Sequence, residues 1–258
     1  MTEHAGSIGG MEPTRDIVTV LWKEWKELPL NAGDRGLMKG LLGILVVVVV
    51  FGVVLPLQEG RGWVDSPIAL LVWAWAPILL VSNVVAQAFA GERERHTLET
   101  LLASRLSDRA ILLGKVAAST LYGWSVTVAC LLLGLVTVNV AERGSGLLLY
   151  GPLTWLGAGV LVPLIALLAA NVGVLVSLRA GTVRQAQQAL GIVSMVLVFG
   201  IGYGVQALPP AVRAAIAAAV TGSAATLVVI AAAILVVANA AVLIVAMTRF
   251  RRTRLILD

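Results

Sequence analysis

Six stretches of this chain, near residues 37–57, 67–90, 111–140, 152–178, 186–206 and 224–248, are almost free of charge; within them Lys39 and Lys115 are the only Asp, Glu, Lys, Arg or His residues. Each offers about 20 or more mostly apolar residues, enough at ~1.5 Å per residue to cross ~30 Å of hydrocarbon. Composition agrees: 59% of residues are hydrophobic and 13% charged, against roughly 45–50% and about 25% in soluble domains. The 258 residues leave no room for a large soluble domain beside six spans. A single all-α transmembrane domain over 1–258 is the expected architecture.

The connections carry the charge, and their bias sets orientation. Lys and Arg residues number 16 on one side, in 1–40, 91–115, 179–184 and 249–254, while Arg61, Arg143 and Arg213 are the three on the other. By the positive-inside rule both termini and the 91–115 loop are cytoplasmic, which puts the protein in a cell membrane as a multi-pass chain. Residues 1–12 read as a polar, flexible tail. Residues 1–36 lack the basic start and apolar core of a cleaved leader, so the first span is expected to be retained. Over 14–28, Ile17, Leu21, Trp25 and Leu28 recur at helical spacing with Val18 and Trp22 beside them, while Arg15, Asp16, Lys23, Lys26 and Glu27 take the other face. Paired tryptophans flanked by lysines predict a helix in the membrane interface.

Pro77 and Pro163 are expected to bend the second and fourth spans. Gly157, Gly159, Gly200, Gly202 and Gly204 are expected to let helices pack closely. Pro209, Pro210 and the Ala-rich 211–221 predict a short outer helix, re-entrant or interfacial, that stops at Gly222. The lone Cys130 cannot form an intrachain disulfide and is expected to be a buried thiol.

Between the second and third apolar runs lies the one long charged passage, GERERHTLETLLASRLSDRAILLGK at 91–115. Leu98, Leu101 and Leu102 give a short helix one apolar side, and Glu94, Arg95 and Glu99 surround it. Ser107 is placed to N-cap the next helix, with Asp108 in its first turn. The order Gly-Glu-Arg-Glu-Arg-x-Thr-Leu-Glu-x-Leu-Leu, followed by Ser-Asp-Arg-x-Ile-Leu-x-Gly-Lys, resembles the signature of ABC type-2 transporter permeases. The LWKEWKEL passage at 21–28 is similar to that family's elbow helix. Where many relatives carry a proline, this chain has Arg105 and Leu106.

The resemblance implies that 91–110 forms a coupling loop whose helix docks on an ABC ATPase, with Glu92, Arg93, Glu94, Arg95, Thr97, Leu98, Glu99, Leu101 and Leu102 in the contact. It implies an exporter in which a second permease chain, identical or paralogous, completes a dimer, and in which ATP and Mg bind the separate ATPase subunits. No cofactor is expected on this chain: its Gly114-Lys115 pair has Arg109 where a P-loop needs its first glycine. An ion-coupled carrier or a non-catalytic membrane anchor is the alternative, although carriers usually keep an ionisable group near the midplane. An intramembrane enzyme lacks its groups, since His4 and His96 are the only histidines and both lie outside the spans. Asn83, Gln87 and Asn171 are the candidates for a substrate path; with Asn139 and Asn239, they can equally hydrogen-bond between helices.

Overall fold

The computed structural model describes residues 13–27, 34–65, 68–95, 106–144, 146–222 and 224–250. Among them the fold is helical throughout. Helix α1 is Pro13–Glu27; α2 is Asp34–Val49, carried through a π-turn at Val50–Val54 into Leu55–Glu59; α3 is the short Gly62–Asp65. Helix α4 is Ile68–Ala86, followed by a π-turn at Gln87–Gly91 and one further turn, Glu92–Glu94. Helix α5 is the 34-residue Asp108–Ala141, and α6 runs from Pro152–Leu156 through a π-turn at Gly157–Leu161 to Val162–Ser177. Helices α7 (Val183–Ala207), α8 (Pro210–Gly222) and α9 (Ala224–Arg249) complete the chain.

Among the described residues, four stretches are long and apolar enough to cross a membrane: Leu42–Glu59, Asp108–Ala141, Pro152–Ser177 and Ala225–Arg249. This is a multi-pass membrane protein. Helices α4 and α7 occupy the second and fifth expected segments.

Helices α4, α5, α6 and α9 share one core, in which Val81, Val85 and Phe89 meet Ile111, Leu112, Val116, Ala170, Val174 and Phe250. Small residues set how closely the helices approach. A Cβ on Gly173 would meet Val85 at 2.9 Å, and one on Gly123 would collide with Val81. Among the described residues, Gly200 and Gly204 of the fifth apolar segment and Gly159 of the fourth have no neighbouring heavy atom within 4 Å of where a Cβ would stand.

Proline placement has a local cause. Pro56 and Pro163 each follow a π-turn, closed by the bonds from Leu55 N to Val50 O and from Val162 N to Gly157 O. The wider turn accommodates a residue with no N–H to give. Helix α8 begins at Pro210 and ends at Gly222, as proline and glycine preferences at helix ends require. Cys130 is buried and free.

The end of the bundle distant from the charged passage is fastened by polar groups. Asn139 exchanges two bonds with the Leu148 backbone, at 2.9 Å each, and Arg61 pairs with Glu142 at 2.7 Å. Glycine packing makes a paired prediction. Gly123→Ala, which forces α4 from α5, should lower the unfolding free energy by about 1–3 kcal/mol, whereas Gly200→Ala should leave the isolated chain unchanged. Thermal unfolding in mild detergent measures both, and equal effects would contradict the packing described.

Candidate functional site at the charged passage

The site is built by the close approach of α1 to α5. A Cβ on Gly114 would lie 2.6 Å from Val20 and 3.2 Å from the Ile17 carbonyl, so only glycine lets the two helices touch here. Val20 lies on a buried α1 face with Asp16 and Glu24, one turn before and one turn after it. Asp16 therefore does not stand on the solvent face expected for it. The amphipathic pattern separates lipid from water, but α1 meets a third environment, a protein surface that contains a buried cation.

That cation is Lys115, next in sequence to the glycine, with 1% of its side chain exposed. Its Nζ donates to Glu24 Oε1 and Glu92 Oε1, both at 2.7 Å, and to the Ala88 carbonyl at 3.1 Å. An ammonium has three protons, and each has an acceptor. The Phe89 ring lies beneath, its centroid 5.7 Å from Nζ. One buried charge thus joins α1, the end of α4 and the start of α5. Burial raises the Glu92 carboxyl above its ordinary value, and the neighbouring Lys115 opposes that rise.

The next two residues fasten two more segments. Arg93 Nη1 donates to the Leu178 carbonyl at 3.1 Å and lies 3.5 Å from the Ala180 carbonyl, where α6 leaves its last acceptors without helical partners. Glu94 Oε2 accepts from Val183 N at 3.1 Å, at the positive start of α7. Thr182 caps the same helix by accepting from Gln185 N. Each charge meets the helix end of opposite polarity. Glu92, Arg93 and Glu94 together hold α5, the end of α6 and the start of α7, and Lys115 links α1 to the same group.

Of the nine residues expected at an ATPase contact, these three are brought together by the structure, in bonds within the chain. Arg95 is exposed and closes the short turn through its N–H to Gly91 O. Thr97, Leu98, Glu99, Leu101 and Leu102 lie outside the described residues. Ser107 N-caps α5 by accepting from Ala110 N at 3.2 Å. Among the described residues no cluster of His, Cys, Asp and Glu could hold a metal ion.

The three amides named for a substrate path do not share a surface. Asn171 is fully buried and donates to Asn239 Oδ1 at 3.0 Å, while Asn239 donates to the Leu164 and Leu235 carbonyls. This ties α6 to α9. Asn83 on α4 and Gln87 at the start of the π-turn after it are both exposed, and Asn83 also donates to Leu79 O. Sequence reasoning passed over Glu24 and Lys115. A lysine four residues inside an apolar run was the available signal, because such a charge needs a counterion from a neighbouring element.

Removing the cation leaves two carboxylates facing each other in a buried site. Lys115→Met should therefore lower stability by about 3–5 kcal/mol, and Glu24→Gln by less, because Glu92 still holds the ammonium. A Lys115→Met chain as stable as the wild type in a thermal-shift assay would contradict the buried cage. The pH dependence has a fixed sign. Because folding raises the Glu92 pKa, the native state binds that proton more tightly than the unfolded state. The resulting stability is present below the ordinary glutamate range and is lost as pH rises through the raised value. Glu92→Gln should flatten this part of the stability profile in pH-scanned unfolding; an unchanged slope would count against it.

A family model described as ABC-2 family transporter protein matches residues 56–240. A search of the curated proteins and a search of the solved structures each returned no match. The matched segment takes in most of the chain, including the charged passage and Lys115, and it fits the apolar helices on either side. The chain belongs to the ABC-2 family of transporter proteins.

Proposed function

We propose that this chain is the membrane permease subunit of an ATP-driven ABC exporter. The observation that carries the reading is the charged passage, which lies within the family match and bonds α5, the end of α6 and the start of α7 through three consecutive residues, with α1 joined through Lys115. A force applied to such a passage is delivered to several spans at once. In this reading six helices cross the cell membrane, both termini are cytoplasmic, α1 is the interfacial elbow, and 91–110 contains the coupling helix. Separate ATPase subunits bind ATP and Mg and hydrolyse the nucleotide. Their motion enters through Arg95, Thr97, Leu98, Glu99, Leu101 and Leu102, while Glu92, Arg93 and Glu94 pass it inward. A second permease chain, identical or paralogous, completes the transporter.

Affinity isolation of the tagged chain from native membranes tests this directly. The expected result is a stoichiometric ABC ATPase that is lost on Glu99→Lys, with the permease still folded by thermal shift. An unchanged complex and unchanged transport in that variant would remove the coupling role from the passage. Absence of any ATPase, under conditions that preserve a known ABC complex, would overturn the reading.

A further inference from the structure

Helix α1 contains three basic residues, Arg15, Lys23 and Lys26, and three acidic ones, Asp16, Glu24 and Glu27. By composition it is neutral, but the fold sorts its charges. Asp16 and Glu24 are buried against the protein, while Arg15, Lys23 and Lys26 are exposed. Among the described side chains of this helix, the outward charge is therefore entirely positive.

The sorting has a direction. At 3.6 residues per turn, Arg15 and Lys26 fall on the side away from Asp16, Val20 and Glu24, next to Trp22, while Lys23 flanks the buried face and lies near Glu92. Val18 and Trp22 are 62% and 58% exposed, which is far from what a water-facing helix normally shows. Lys26 Nζ stands 4.8 Å from the Trp22 ring centroid. An exposed apolar arc edged by a tryptophan and two cations matches the boundary between acyl chains and phosphates. The opposite face of the same helix ends in Glu24, bonded to the ammonium that also holds Glu92.

Resting on the membrane orientation given under the proposed function, we propose that the outward basic edge of α1, through Arg15 and Lys26, binds the phosphates of anionic phospholipids. Lipid held there fixes α1, and α1 steadies the charged passage through Glu24, Lys115 and Glu92. The bilayer's content of anionic lipid thereby sets how firmly the coupling passage is held. Neither residue contributes to the buried cage, so the surface can be altered without dismantling it.

The test uses the full chain alone, in nanodiscs of equal parts phosphatidylcholine and phosphatidylglycerol, and requires neither ATPase nor transport. A failure here is therefore separable from a failure of the exporter reading. Lipid retained on extraction into mild detergent is identified by mass spectrometry. Hydrogen exchange is followed at the amides of residues 92–95, in mixed discs and in discs of phosphatidylcholine alone. Wild type should retain phosphatidylglycerol in preference, by about five-fold for each basic residue engaged, and should exchange more slowly at 92–95 in the mixed discs. Arg15→Gln with Lys26→Gln should abolish both effects. Glu24→Gln should keep the lipid preference and lose the slowing. Equal retention of the two lipids by wild type would overturn the proposal, as would a preference that survives Arg15→Gln with Lys26→Gln. Slowing that persists in Glu24→Gln would overturn the path through the cage.

Discussion

The ammonium of Lys115 is the constraint on which the loop end of this molecule depends. An unpaired charge in a low-dielectric interior costs several kcal/mol, so a lysine buried this completely must bring its acceptors with it. Two carboxylates and a carbonyl come from two other helices to meet it. Satisfying one side chain thereby fixes α1 on α5 and the end of α4 on both. Gly114 is the geometric counterpart of that charge: it permits the approach that the ion pair then holds.

The run Glu92-Arg93-Glu94 extends the same logic along the chain. Helix ends present unsatisfied groups of known sign, acceptors at the last turn and donors at the first. An Arg set on the end of α6 and a Glu set on the start of α7 meet those groups directly. Alternating charge in three adjacent residues therefore spreads one short turn over several elements. Such a joint is suited to passing on displacement because its partners are a helix and the two helix ends beside it. That is the physical basis of the coupling role proposed for the passage in a member of this transporter family.

Much of the fold was legible from charge and length. Runs without ionisable residues marked the helices, Ser107 marked the cap of α5, and Pro210 with Gly222 marked the limits of α8. The site was legible only in part. Local order singled out Glu92 to Arg95, because an alternating charged run between apolar segments stands out in one dimension. Glu24 and Lys115 are 91 positions apart; Lys115 stands out in an apolar run, but its pairing with Glu24 is not visible without the fold that brings them together. The α1 pattern was ambiguous for the same reason: periodicity separates apolar from polar, but it does not tell an acid facing water from an acid facing a buried lysine. The glycines of α7 show the converse limit, since spacing indicates close packing without showing where the partner lies.

The most direct measurement is a double-mutant cycle between Glu24→Gln and Glu92→Gln, read as unfolding free energy in detergent. If both carboxylates are held by the one ammonium, the double variant should depart from the sum of the single variants by roughly 0.5–3 kcal/mol, as residues within one network do. Additive losses would mean that the two act independently, and α1 would then have no charged link to the charged passage at 91–115.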